Sequence, residues 1–201
     1  TIAGVVTTGL TETVGSKAVF ESAETVMGDI TYDSSNDRVV VIYQDAGDSN
    51  KGKAVVGTVS GTSITFGTPV AFTSSRTMGA NMGCAFDSGN NKVVIAYRDR
   101  DVSDHGYGIV GTVSGTSISF GSATKFSASS TVLAKVVYDS NAERIVVVFQ
   151  DAGDGNYGKT IVGTVSGTSI SFSSEGNQTF KGAAISQMDA TFDSSNNKVV
   201  I

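Results

Sequence analysis

The sequence predicts an all-β protein assembled from repeated antiparallel sheets, and three observations carry that prediction. The phrase Val-Gly-Thr-Val-Ser-Gly-Thr-Ser occurs at residues 56–63, 110–117 and 162–169, with starts 54 and 52 residues apart. A second phrase keeps the same beat as Tyr32-Asp33, Phe86-Asp87, Tyr138-Asp139 and Phe192-Asp193. The composition, with 24 glycines in 201 residues, one proline and no tryptophan, is that of a solvated β protein rich in tight turns. A period in this range corresponds to one small sheet that cannot bury its apolar face alone and is stabilised by its neighbours.

Each period reads as four strands. In the third they fall at 134–138, 144–150, 159–165 and 169–172, separated by turn compositions at 139–143 and 166–168 and by a longer polar loop at 151–158. The second strand is a continuous apolar run in every copy, at 39–42, 93–96, 145–148 and 199–201, which predicts burial on both faces. The fourth strand alternates, as in Ile64-Thr65-Phe66 and Ile118-Ser119-Phe120, which predicts one wet face. Sheets of this kind pack as blades around a ring, so the expected architecture is a four-bladed β-propeller. A β-sandwich would need about seven strands per domain, which the repeat does not supply. A β-solenoid, or a fragment of a longer array, is the alternative.

The two ends match each other. Residues 10–20 line up with 62–72 and supply third and fourth strands, whereas 190–201 supply first and second strands. The expected organisation is therefore one repeat domain over 1–201, with one sheet shared by 1–20 and 182–201 and further units at 21–73, 74–127 and 128–181. The absence of an initial Met and the apolar last residues suggest a processed, excised or partial chain.

Charge and cysteine usage exclude several functions. With 14 basic against 19 acidic side chains, a nucleic-acid partner is not expected. No run of 18 apolar residues is present, so membrane insertion as a helix is not expected. The single cysteine, Cys84, lies in the apolar stretch Met82-Gly83-Cys84-Ala85-Phe86 and reads as a small buried hydrophobe.

The pattern Tyr/Phe-Asp-Ser-x-Asn-x-Arg/Lys-Val-Val, then Tyr-Gln-Asp-Ala-Gly-Asp, then Val-Gly-Thr-Val-Ser-Gly-Thr-Ser-Ile-Ser-Phe-Gly resembles repeats of large secreted or surface proteins and of phage structural proteins. It spans essentially the whole chain and departs most over residues 1–30. The resemblance implies an extracellular, surface or virion-associated scaffold that forms or decorates a fibre, coat or matrix. Its expected partners are copies of itself or other matrix and surface components. A scaffold does not fix activity, so the loops carry the remaining chemistry.

Two loop patterns are candidate sites. Asp45, Asp48 and Asn50, and again Asp151, Asp154 and Asn156, place two carboxylates and an amide at offsets of zero, three and five, while the middle copy has Asp99, Asp101 and Asp104 at different spacing. Hard cations favour such oxygens, so Ca²⁺ is the one ion considered, although the glutamate that completes a calcium loop is missing; solvated turns whose Asp and Asn side chains satisfy backbone donors are the preferred reading. No other cofactor is expected. The second pattern pairs Asp33 with Asn36, Asp87 with Asn90, and Asp139 with Asn141, with a fourth copy at Asp193 and Asn196. These read as turn residues, with Asp accepting backbone N–H groups and Asn taking the left-handed conformation. Together with Tyr43 and Tyr97 at the end of the second strand, they could also meet glycan hydroxyls several times over, the lectin-like alternative. Phe149 occupies the corresponding position in the third repeat, and for Tyr43, Tyr97 and Phe149 packing between neighbouring sheets is the preferred reading, with stacking platforms the alternative.

An enzyme is not expected. His105 is the only histidine and falls in a Gly-containing polar stretch, so no repeated histidine mechanism exists. Nucleophile elbows, phosphate-binding loops and zinc clusters are missing from the sequence, and no catalytic residue is assigned. Asn177-Gln178-Thr179 matches a glycan acceptor relevant to a eukaryotic secretory host.

Overall fold

The computed structural model describes residues 2–3, 6–7 and 13–201, with side-chain burial described from Val14 onward, Met27 excepted. The architecture is all-β, with antiparallel pairing in each sheet and, among the described residues, no α-helix. Four short strands, β1 (Ile2–Ala3), β2 (Val6–Thr7), β3 (Thr13–Val14) and β4 (Ala18–Val19), pair as β1–β4 and β2–β3. The first full sheet contains β5 (Thr25–Asp33), β6 (Arg38–Asp45), β7 (Lys51–Ser60), β8 (Ser63–Phe66) and β9 (Val70–Arg76). The second contains β10 (Gly83–Asp87), β11 (Lys92–Asp99), β12 (His105–Ser114), β13 (Ser117–Phe120) and the first half of β14 (Thr124–Asp139). The second half of β14 opens the third sheet, followed by β15 (Arg144–Asp151), β16 (Tyr157–Ser166), β17 (Ser169–Phe172) and β18 (Gln178–Ala184). A last hairpin joins β19 (Thr191–Asp193) to β20 (Lys198–Val200).

The sequence predicts four strands per repeat; the structure has five. The predicted fourth strand is present as β8, β13 and β17, and a further strand, β9, β14 or β18, follows it along the same edge. In the first sheet β8 pairs with residues 57–60 of β7, and β9 pairs with residues 51–54 on the same edge. Between them Gly67 still donates its N–H to the Val56 carbonyl at 2.9 Å, as Gly121 does to Val110 at 3.0 Å and Ser173 to Val162 at 2.9 Å. The chain therefore jogs without losing its ladder, and residues 173–177, with no apolar side chain, give no periodic sign of the strand that follows.

The turns follow from residue chemistry. Each Ser-Gly-Thr-Ser phrase closes a two-residue hairpin in which the glycine has positive φ, +57° at Gly61, +61° at Gly115 and +59° at Gly167. Glycine is the residue that adopts this conformation without steric cost. The loops after the second strand share another device: Ser49-Asn50, Ser103-Asp104 and Gly155-Asn156 are consecutive left-handed pairs with φ of 54–62°. That is the signature of a type I′ turn leading into the next strand.

The continuous apolar runs are explained by the cores. Successive residues of one strand point to opposite faces, so Val40 and Ile42 join the core shared with the second sheet, whereas Val41 and Tyr43 join the one containing Phe20. In β11 the same split sends Val93, Ile95 and Tyr97 to one side and Val94 and Ala96 to the other. Each fully buried Val or Ile contributes about 1.5–3 kcal/mol of transfer free energy. The fourth copy departs from the expected double burial. Val200 and Ile201 are 52% and 47% exposed, since β20 has one strand partner, β19, among the described residues.

One aromatic ring stitches each sheet to the next. Phe20 lies 5.1 Å from the Tyr43 ring and 5.2 Å from the Phe66 ring; Phe72 lies 5.4 Å from Tyr97 and 5.8 Å from Phe120; Phe126 lies 5.2 Å from Phe149 and 5.5 Å from Phe172. Beside each ring the backbones nearly touch. A Cβ on Gly15, Gly67 or Gly121 would overlap the carbonyl oxygen of Thr62, Thr116 or Thr168 in the next hairpin.

These joints set the expected response to mutation. Phe72→Ala empties a joint and is expected to cost about 3–5 kcal/mol, and Gly121→Ala, which forces a methyl group into a backbone carbonyl, about 1–3 kcal/mol. Gly115→Ala, at an open turn with φ of +61°, carries only the left-handed penalty of about 1 kcal/mol. Urea unfolding of the three variants checks the order, and a Phe72→Ala cost no larger than that of Gly115→Ala contradicts it.

Candidate functional site

The Asp/Asn pairs build turns. Asp33 Oδ1 accepts the N–H groups of Ser35 and Asn36, both at 3.0 Å, and its Oδ2 accepts Asn36 Nδ2 at 2.8 Å. Asp87 does the same with Gly89, Asn90 and Asn90 Nδ2 at 3.0, 3.0 and 2.9 Å, and Asp193 with Ser195, Asn196 and Asn196 Nδ2 at 2.9, 3.1 and 2.7 Å. Two details differ from the sequence reading. The left-handed residue is the one after the Asn, namely Asp37, Asn91 and Asn197, because it must reverse the chain into the next strand. Asn141 is not the counterpart of Asn36 and Asn90. Asp139 accepts the N–H groups of Asn141 and Ala142, so Ala142 takes the Asn position and Glu143 the left-handed one.

The acidic loops are held by cations from the chain itself. Asp45 caps its loop by accepting Gly47 and Asp48 N–H groups at 2.8 and 3.2 Å, and its other oxygen meets Lys53 Nζ at 2.7 Å. Lys53 also reaches Asp48 at 3.2 Å, and Lys51 meets the second Asp48 oxygen at 2.9 Å. In the third sheet Lys159 bridges Asp151 and Asp154 at 3.2 and 2.6 Å. Asn50 Oδ1 is turned away from these carboxylates and accepts Gln44 Nε2 at 2.9 Å. Asn156 is exposed at the tip of its left-handed turn.

The middle loop keeps the same backbone and rewires the charges. Asp99 caps it through the N–H groups of Asp101 and Val102 at 3.0 and 3.2 Å. Asp101, at the place of Gly47, takes Arg76 from the preceding sheet through its Nε at 2.8 Å and its backbone N–H at 2.9 Å. Asp104, at the place of Asn50, pairs with Arg98 Nε at 2.7 Å. The lysine position opposite Tyr97 is Tyr107, whose ring stacks on Tyr97 at 6.0 Å and 24°. No group of three or more His, Cys, Asp or Glu side chains is arranged to hold a metal ion among the described residues.

Titration follows these contacts. Burial pushes the Asp45 carboxyl up, but the hydrogen bond and charge of Lys53 outweigh it and hold it below the ordinary range. Hydrogen bonds from Lys51 and Lys53 depress Asp48, the Arg98 hydrogen bond depresses Asp104, and the Arg76 backbone N–H and guanidinium depress Asp101. Burial pulls Lys53 down, yet its two carboxylates raise it overall; Lys159 is raised first by Asp154.

The aromatic candidates are interior groups. Tyr43 and Phe149 are fully buried and Tyr97 nearly so, each against the joint ring, and burial raises both phenols. They are not placed as exposed stacking platforms. His105 starts β12 rather than lying in a loop and is half-buried, its Nδ1 without a hydrogen-bond partner. Asn177 of the acceptor triplet is also half-buried. Cys84 is buried, which raises its thiol strongly.

The sequence reading missed a concave site. The inner strands β5, β10, β14 and β19 border one cavity of about 490 Å³, to which each repeat brings the aromatic residue before its turn Asp: Tyr32, Phe86, Tyr138 and Phe192. The repeated Tyr/Phe-Asp phrase was the available signal, but convergence of its copies is a tertiary property. A separate cavity of about 560 Å³ is lined by Ala80, Leu133, Lys135, Gln187, Met188 and Asp189. No family model matches the chain, and no curated protein matches it either.

Lys53 yields a pH test. The depressed Asp45 and Asp48 contribute stability above their ordinary value of 3.8 that is lost as pH falls through the folded values below it. The raised Lys53 contributes below 10.5, and that share is lost as pH rises through its higher folded value. Lys53→Met is therefore expected to lower Tm by several degrees near neutrality, with the difference from the parent shrinking in acid and in strong alkali. Thermal unfolding across pH reads this, and calcium is expected to leave the parent's Tm unmoved.

Proposed function

We propose that the chain is a four-bladed β-propeller serving as an extracellular structural or assembly scaffold, in which propeller units pack into or decorate a fibre, coat or matrix. The observation that carries this reading is the joint of one phenylalanine and one glycine, repeated at three successive sheet boundaries. The side chains that looked chemical in the sequence are engaged in holding loops and turns, which suits a rigid element better than a catalyst. Copies of the same chain, or other matrix components, are the partners this reading supplies.

Strand registers favour a ring over a solenoid or an open array. The pairs Ile2↔Val19 and Val6↔Val14 stand where Lys53↔Ala71 and Gly57↔Phe66 do, with the N-terminal hairpin one residue shorter than its counterpart. At the other end Phe192↔Val199 and Asp193↔Lys198 repeat Tyr32↔Val39 and Asp33↔Arg38. The N-terminal strands are thus an outer half-sheet and the C-terminal hairpin an inner half-sheet. The Leu10–Glu12 part of the alignment with Thr62–Ile64 lies outside the described residues. A cavity bordered by the first strands of four repeats supports radial packing.

Closure has a sharp test. At the described joints the glycine Cβ direction comes within 3.0–3.2 Å of the facing threonine Cβ, tighter than the roughly 3.5–4.5 Å of a disulfide. Since Ser173 carries a Cβ where those joints have glycine, a fourth joint has to be wider than they are. In a closed ring the equivalent pair is Ser173 with residue 10, so Leu10→Cys combined with Ser173→Cys is expected to give an intramolecular disulfide. Dimers linked through these cysteines, without an internal bond, argue for an open array. Electron microscopy of material from the natural source tests the scaffold role: ordered assemblies are expected, and isolated monomers at high concentration count against it.

A further inference from the structure

We infer that the cavity between the inner strands is a binding site for one neutral pyranose unit of a saccharide. The inference rests on the convergence of four repeats at this place and not on the scaffold reading. Tyr32, Phe86, Tyr138 and Phe192 all line the cavity, with Ser88 and Ser140 among the hydroxyls beside them. No charged side chain is among its lining residues. Its volume of about 490 Å³ falls within the range of small-molecule sites, roughly 300–1,000 Å³, but it is a wide, open depression whose surface is more polar than apolar, which suits a hydroxyl-rich ligand better than an apolar one.

The chemistry selects the ligand. A pyranose has an apolar C–H face and a hydroxyl rim, so aromatic rings and neutral hydroxyls together complement it, whereas an anionic ligand would find no counter-ion among the lining residues. A quaternary ammonium, the other guest of aromatic cages, is favoured where carboxylates are free to assist. Here Asp33 and Asp87 are 1% and 2% exposed and spend their oxygens on the turns. Asp37 takes the Tyr32 hydroxyl at 2.8 Å.

Two of the rings are held before any ligand arrives. Tyr32 is tethered through that Asp37 bond, and the Tyr138 hydroxyl accepts the Gly89 N–H of the neighbouring sheet at 3.1 Å. Phe86 leans on the core between the first and second sheets, and Tyr138 on the next one. Fixing the rings in advance reduces the ordering cost of binding. This site differs from the rim sites anticipated from sequence, because the Tyr43 and Tyr97 rings those sites would need are buried.

The test is a titration of the intact chain with the methyl glycosides of glucose, galactose, mannose and N-acetylglucosamine, followed by saturation-transfer NMR and calorimetry. At least one glycoside is expected to saturate with one site per chain. Tyr32→Ala and Phe192→Leu are expected to weaken it about tenfold or more, and Tyr157→Ala, outside the cavity, to leave it unchanged. Phe192→Leu keeps apolar bulk and removes only the ring; circular dichroism and Tm verify that each variant is folded. No saturable glycoside binding, full binding by a folded Phe192→Leu variant, or tighter binding of tetramethylammonium than of every glycoside overturns the inference. None of these outcomes bears on ring closure, which the disulfide test reads separately.

Discussion

Everything in this fold depends on the contact between successive sheets. A sheet whose second strand is apolar on both faces cannot stand in water alone, and the joint ring turns that liability into cohesion. From β9 the Phe72 side chain reaches across to Tyr97 and Phe120 of the next sheet, so the core between them is built from both sheets. The glycine beside it decides how near the sheets come. With any Cβ at Gly67 the Thr116 carbonyl would have to retreat, and the Phe72 ring would lose its fit with it. Ring and glycine therefore act together, one filling the space that the other makes small.

Loop electrostatics follows the same economy of position. Lys53 emerges from the third strand opposite Tyr43, which puts its ammonium at the end of the second strand where Asp45 and Asp48 converge. In the middle repeat the lysine is lost, yet no carboxylate is stranded. Arg98 replaces Gln44 and meets Asp104 where Asn50 stood, turning an amide pair into an ion pair. Arg76 and Asp101 add a bond across the joint. The backbone of the three loops shares its left-handed pair throughout, so charge is exchanged on a fixed frame.

Much of the repeat was legible because it is written in short-range terms. The apolar runs at 39–42 and 93–96 are buried as their lack of alternation requires, and Asp33 and Asp87 cap turns as their place before Ser and Asn suggests. Cys84 is the buried hydrophobe that its neighbours imply. What was not legible depends on register or convergence. Nothing local distinguishes Lys53 from a solvated lysine until the pairing Tyr43↔Lys53 is known. The fifth strand of each sheet was hidden because its copies share little beyond Phe72, Phe126 and Phe180, and Asn141 misled because it stands beside an Ala at the position that carries Asn in three other copies. Tyr43 and Tyr97 could be read as platforms or as packing, and only the position of Phe20 and Phe72 separates the two.

Repetition also bears on where specificity can arise. The acidic loop occurs once per sheet and each copy is held mainly by groups of its own sheet. The inner strands differ. There Tyr32, Phe86, Tyr138 and Phe192 border a single space, so four copies of one phrase meet as two phenols and two phenyl rings. The phenols differ from the phenyl rings by one hydroxyl each, and those hydroxyls are tied to turns of the surrounding sheets. A fold that elsewhere multiplies the same contact thus has one place where its copies act jointly, and a difference between repeats there changes the shape and polarity of the whole site.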